Sequence, residues 1–352
     1  MYRFLTLALP LVVYLAPGAR AQGGTTCNIT TPCPNSVPCC SSFGFCGTGS
    51  FCQTGCNPLA SHALDSCRPD PVCQSGTHAF TDNSRIFSNA TKFDGNVTAY
   101  DWVVNSGNIM NTNSSGGELA LLLTETNGGT RVSSTRYIHY GRITVTLKTG
   151  RWAGIVTAAV TMSDVKDEID WEFPGANTTQ GQSNIFWQGF IPEKTIGGTH
   201  DISSDSFSNY HDYTIDWQED QLSWLIDNKT VRTLKQSDMV GSDGVSRYPN
   251  TPSSFQMSIW PAGINSSAQG TIDWAGGMIN WDDPDYKSAG HFYATIKQVT
   301  IECKDPAPPS QNVTSYVYAG NSSAFTPGVQ FSNASVLLNA GERGAVGRDR
   351  FS

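Results

Sequence analysis

Nine of the ten cysteines in this chain fall between Cys27 and Cys73, and seven of them lie within residues 27–56. So short a segment cannot bury enough apolar surface to hold itself together, so disulfides must do it. An even cysteine count supports that reading, provided the compartment is oxidising. The N-terminus points to such a compartment. Arg3 is followed by the apolar run "FLTLALPLVVYLA", too short to span a bilayer, and then by Ala19-Arg20-Ala21. This is the pattern of a signal peptide over residues 1–21, with the mature chain starting at Gln22. The expectation is a secreted, extracellular protein. Ten Asn-x-Ser/Thr sequons are then candidate glycan sites. No later run reads as a transmembrane segment, and "GERGAVGRDRFS" is not the hydrophobic tail that a glycolipid anchor needs.

The rest of the chain divides by composition. Residues 22–56 form the cysteine module. Residues 57–76 read as a linker, with Pro58, Pro69 and Pro71 beside Cys67 and Cys73. Residues 77–304 read as all-β. "GRITVTLKTG" alternates apolar and polar residues, and "AGIVTAAVTM", "HDYTIDW", "LSWLID", "SSFQMSIW" and "FYATIKQVTIE" are short β-branched or aromatic runs between turn residues. No long stretch carries a helical apolar period. Many short strands of this kind predict a sandwich or jelly roll. Residues 305–352 form a low-complexity tail in which "TSYVYAG" adds at most one strand and the rest is disordered.

A formal net charge of −8 disfavours nucleic acid and anionic membranes as partners, since both need a basic footprint. Against that weakly charged background, "DEIDWEFPG" stands out: Asp167, Glu168, Asp170 and Glu172 crowd six positions. With a side-chain period of two, Glu168, Asp170 and Glu172 share one face of a strand, while Ile169 and Trp171 point into the core. Asp167 points away from the three and reads as structural. Three carboxylates on one face repel one another and raise at least one pKa, which a purely structural strand would avoid. A calcium site would want oxygen ligands on a bending loop, and a solvated acidic patch would not alternate with Ile and Trp. Paired carboxylates with separated pKa values suit glycoside cleavage.

Two resemblances extend these readings. "CPN…CCSSFGFCG…FC" resembles the hevein-type chitin-binding domain, carbohydrate-binding module family 18. It implies Ser41 as a polar contact and Phe43, Phe45 and Phe51 as stacking platforms, with Phe where the family often has Trp or Tyr. The family's pairing order implies Cys27–Cys40, Cys33–Cys46 and Cys39–Cys52. Cys56–Cys67 and Cys73–Cys303 would then follow, with a local Cys67–Cys73 bridge as the alternative. "DEIDWE" resembles the signature of glycoside hydrolase family 16, whose fold is a concanavalin-like β-jelly-roll sandwich. With "YGRITVTLKTG", "QSNIFWQG", "HDYTIDW", "SIWPAG" and "TIDWAGG", the chain is similar to the fungal Crh family of chitin–glucan transglycosylases, in its Crh2/Utr2-type branch. The resemblance implies Glu168 as nucleophile, Asp170 as assisting carboxylate and Glu172 as general acid/base.

It also implies chitin and β-glucan as partners, a place in the fungal cell wall, no cofactor, no metal and a monomer. Candidate sugar contacts are Gln182, Asn184, Trp187, Trp217, Arg232, Trp260 and Trp274. Trp224 reads equally well as core. The six histidines show no metal-binding spacing, and no Ser-His-Asp set is evident. A plain endo-β-glucanase or chitinase, or a non-catalytic wall lectin, are the rival functions.

Overall fold

The computed structural model describes residues 24–113, 116–192, 195–305, 312–319 and 328–337. The expected signal peptide and much of the C-terminal tail lie outside these residues. Two eight-stranded sheets dominate. The first runs in the order Gly198–Asp201, Gln180–Phe186, Glu168–Pro174, Ile155–Ser163, Ser253–Pro261, Thr130–Ile138, Trp102–Ser106 and Ile86–Phe87. The second is built around Gly141–Lys148, flanked by His211–Trp217 and by the long strand Phe292–Cys303. Apart from the short parallel pair at Ile86–Phe87, the pairings of both sheets are antiparallel. This is the two-layer β-sandwich that the short alternating runs predict.

The two sheets meet over one apolar core. Ile169, Trp171 and Phe173 face inward from the acidic strand Glu168–Pro174, and Tyr213, Ile215 and Trp217 meet them from the other sheet. Gly141–Lys148 shows strict buried/half-buried alternation, as its apolar period of two requires. Two short helices, Gln269–Trp274 and Pro284–Ala289, stand beside the sheets. Asp283 caps the second by accepting from Asp285 N–H, with Pro284 in its first turn.

The cysteine module holds four disulfides, Cys27–Cys40, Cys33–Cys46, Cys39–Cys52 and Cys56–Cys67. A fifth, Cys73–Cys303, joins the entry of the sandwich to the end of its long strand. The local Cys67–Cys73 bridge is not formed.

One expectation of organisation fails and another holds only in part. Residues 57–76 are not a free linker. Cys33, Asn57 and His62 N–H donate to the carbonyls of Ala60, Cys40 and Pro38, so the Cys56–Cys67 loop folds back onto the module. Beyond it, Asp70–Pro71 pairs with Ser315–Tyr318, which in turn pairs with Val329–Ser332. The described part of the tail therefore adds two strands to a three-stranded sheet with Asp70–Pro71, and its Tyr316 packs with Val72 and Tyr137. The strand offered at "TSYVYAG" is present; composition missed only Val329–Ser332, because so small a sheet is stabilised by the surface it covers and not by its own sequence.

Candidate active site

The acidic strand lies between Ile155–Ser163 and Gln180–Phe186. Cross-strand register sets its neighbours. Glu168, Asp170 and Glu172 stand opposite Phe186, Asn184 and Gln182 on one side, and opposite Met162, Val160 and Ala158 on the other. One strand further, Gln256 and Ser258 continue the same rows, and Arg131 follows opposite Ser258. Because Ile169 and Trp171 fill the core, all of these residues project from the open face of the first sheet.

The three carboxyls are not equivalent. Glu168 and Asp170 are buried, and Glu172 is half-buried. Burial raises all three above the usual carboxylate range. Asp170 is pushed up furthest, by burial, by the charges of Glu168 and Glu172, and by its hydrogen bond to Glu168. Burial raises Glu168, and the hydrogen bond from Asp170 and the charge of Arg131 pull it partly back, to about 7. Glu172 is raised to about 8 by burial and by the charge of Glu168. The arrangement keeps a proton on Asp170, directs it at Glu168, makes Glu168 the first of the three to ionise and leaves Glu172 mostly protonated at neutral pH.

Asp167 faces the other way, as alternation requires. It is buried and accepts from Gln188 N–H (3.0 Å), Asn250 N–H (3.1 Å) and Thr251 O–H (2.6 Å). It fastens the start of the acidic strand to two neighbouring loops.

The expected sugar contacts divide into two groups. Gln182, Asn184, Trp260 and Trp274 gather on the open face. Trp274 comes from the Gln269–Trp274 helix, donates its indole N–H to Gln182 Oε1 (2.9 Å) and stacks with Trp260 at 6.0 Å. Both indoles remain half-buried, beside the Glu172 end of the row.

Trp217, Arg232 and Trp187 do not join them. Trp217 is wholly buried in the core and donates to Pro249 carbonyl (3.1 Å). Its alternation with Tyr213 and Ile215 places it on the inner face of the other sheet. Arg232 lies over the Trp224 ring and donates to Ser183 carbonyl (2.8 Å), Ser183 Oγ (2.9 Å) and the Ile196 carbonyl. It clamps the edges of the two sheets together. Trp187 is buried in a turn past the end of its strand, with Arg247 over its ring. Trp224 is likewise core.

In the module, Phe43 is exposed, while Phe45 and Phe51 are half-buried. Ser41 Oγ donates to Phe45 carbonyl (3.1 Å), closing the turn that presents Phe43.

Several groups escaped the sequence. Gln256 and Ser258 were within reach, because they alternate with Trp260 in "SSFQMSIW". Arg131 had no local signal; only non-local pairing brings its charge near Glu168. A hydrogen-bonded Ser204–His211–Asp227 set also exists (2.8 and 2.7 Å), contrary to expectation. Asp227 also accepts from Asp212 N–H, so the set ties a loop to a hairpin turn on the other sheet. A cavity of about 430 Å³ beside His78, Arg85, Asp101 and Arg136 touches none of the three acids.

The family model "Glycosyl hydrolases family 16" matches residues 96–276. Congo red hypersensitive protein 2 of Saccharomyces cerevisiae is 37% identical over 326 residues, covering 92% of this chain and 69% of that protein. Crh-like protein 2 of Aspergillus fumigatus is 41% identical over 253 residues, covering 72% of this chain and 56% of that protein. The corresponding figures for Crh-like protein UTR2 of Candida albicans are 41% over 255 residues, 71% and 53%. The chain thus spans between about half and about two thirds of these relatives' lengths. A solved structure titled "Crh5 transglycosylase in complex with NAG" superposes with a TM-score of 0.61 at 29% identity, covering 79% of this chain and 100% of that one.

Proposed function

The chain belongs to glycosyl hydrolase family 16, and from that premise we propose that it is a retaining transglycosylase of the fungal cell wall that cleaves chitin and passes it to a β-glucan or chitin acceptor. One observation carries the reading. Three in-line carboxyls on the open face are differentiated so that Glu168 is favoured as the anion, Asp170 holds a proton against it, and Glu172 keeps its own. A double displacement needs one ionised carboxylate and one protonated carboxylic acid.

In the first step, Glu172 protonates the leaving glycosidic oxygen while Glu168 attacks the anomeric carbon. Asp170 donates its hydrogen bond to Glu168 and, by holding its own proton, keeps a third negative charge out of the row. Arg131 supplies the compensating charge. The product is a glycosyl-enzyme and a freed chain end. In the second step, Glu172, now anionic, takes the proton of an incoming hydroxyl, which attacks the anomeric carbon and releases Glu168. A sugar hydroxyl gives transfer; water gives hydrolysis. The Trp260–Trp274 pair offers stacking surface at the Glu172 end, held in place by Gln182.

The likeness to a transglycosylase solved in complex with NAG, and the chitin-binding pattern of the module, support a chitin-type carbohydrate as substrate. Among the sequons on described residues, Asn96 is half-buried and the others are exposed, which suits a secreted glycoprotein.

The test is incubation of the protein with chitin oligomers and a labelled β-glucan acceptor. Label entering longer, chitin-bearing products is expected. Reducing ends accumulating with no label transferred would make the protein a hydrolase of the same fold. No turnover at all, with chitin still bound, would make it a lectin.

A further inference from the structure

Two buried carboxyls take no part in the proposed reaction. Asp164 sits in the turn that leads into the acidic strand. Its Oδ1 accepts from Tyr137 O–H (2.7 Å) and from Gly55 N–H (3.0 Å). Asp70, in the segment leaving the module, hydrogen-bonds to the same Asp164 carboxyl. Both are only 5% exposed. Burial and the charge of Asp164 raise Asp70 well above the usual carboxylate range, so Asp70 holds the proton and Asp164 accepts it. Two groups of the module and its exit segment thus converge on one acceptor of the sandwich.

The contacts continue on both sides of this junction. Gly55 packs on Ser42: a Cβ at Gly55 would lie 3.2 Å from that of Ser42. Ser42 precedes Phe43, which is 52% exposed at the tip of the turn closed by Ser41 and Phe45. In the other direction, Asp164 lies four residues before Glu168, a chain length of at most about 14 Å. The aromatic turn of the module is therefore fastened, through Gly55 and Asp164, to the end of the first sheet at which the acidic row begins with Glu168.

We propose that the cysteine module is a fixed distal subsite of the acidic groove, so that one chitin chain engages the Phe43 turn and the groove together. This rests on the chitin donor proposed above. Asp70 and Asp164 are positioning residues that set the offset between the two. A module on a free tether would grip the substrate at an effective concentration set by its linker. A docked module has no linker freedom to lose, and its contact is made equally in ground and transition states. That contact lowers KM for chains long enough to reach it and leaves kcat for the same chain alone.

The experiment measures kcat/KM on chitin oligomers of increasing length for the full chain and four variants. In the unaltered protein the ratio of long-chain to short-chain kcat/KM is expected to exceed one. Phe43→Ala is expected to lower that ratio about fivefold, through KM. Asp70→Ala and Asp164→Ala are expected to lower it similarly while the protein still binds insoluble chitin. Asp70→Asn, which keeps a donor to Asp164, is expected to restore it. An active enzyme whose length dependence ignores Phe43→Ala, or survives Asp70→Ala and Asp164→Ala, overturns this inference alone. An unaltered protein that turns over no chitin oligomer refutes the donor assignment and this inference with it.

Discussion

Trp224 donates its indole N–H to the backbone carbonyl of Asp170 at 2.9 Å, across the interface between the two sheets. Trp171 returns the contact, donating to Thr214 carbonyl at 3.1 Å. The middle acid of the row is thus held from behind by the opposite sheet. Trp224→Phe keeps most of the packing but leaves a buried carbonyl without its donor, a loss of about 1–3 kcal/mol. A fall in melting temperature of about 2–4 °C per kcal/mol is expected in thermal unfolding. An unchanged melt would show that the carbonyl finds another donor.

Glu168→Gln removes the nucleophile and preserves its shape. Turnover is expected to fall by more than about 10³-fold in the labelled-acceptor assay, while binding to chitin persists. Activity close to that of the unaltered protein would remove Glu168 from the role of nucleophile.

Arg131 lowers the pKa of Glu168, which must be ionised to attack. Replacing it by Gln removes that pull, so the Glu168 pKa rises and the acid limb of kcat/KM moves to higher pH. The alkaline limb belongs to Glu172, which must be protonated for the first step, and is expected to move much less. A full pH profile of the variant checks both limbs. An acid limb that stays in place, or moves to lower pH, would deny Arg131 this role.

Asp170→Asn, which keeps a donor to Glu168 and carries no charge, is expected to stabilise the fold. The native pKa of Asp170 lies above its unfolded value, so the native state binds more protons than the unfolded one and stability falls as pH rises past the unfolded value. Below about pH 4 the acid is protonated in both states and the variant has no advantage. At pH 7 its melting temperature should exceed that of the unaltered protein by about 3 °C or more. An equal gain at both pH values would assign the effect to packing and not to charge.

Arg232→Ala tests a residue that sequence reasoning had placed against substrate. Its bonds to Ser183 and Ile196 make it a clamp, so its loss should lower the melting temperature. KM of the folded fraction should stay within about twofold, a few tenths of a kcal/mol. A large rise in KM without a change in melting would return Arg232 to the groove.

Much of this protein is legible in its sequence, because the features concerned are local. A side-chain period of two placed Glu168, Asp170 and Glu172 on one face, sent Asp167 to the other and marked Gly141–Lys148 as a half-buried strand. Cysteine crowding marked the module as a disulfide framework. Alternation also grouped Trp217 with Tyr213 and Ile215, but it could not say which face of that strand is the core, and the tryptophan proved to be inside. Arg232 and Trp187 were misplaced for a related reason: what a long or bulky side chain near a sheet edge touches depends on strands distant in sequence.

Tertiary structure alone decided the differences among the three acids. Spacing shows that they share a face; only burial, the nearby charge of Arg131 and the bond from Asp170 to Glu168 separate their proton affinities. It alone also turned an expected linker into the contact between Asp70, Gly55 and Asp164. Periodicity along a strand is a property of the chain, whereas desolvation and cross-sheet contact depend on residues that only folding brings together.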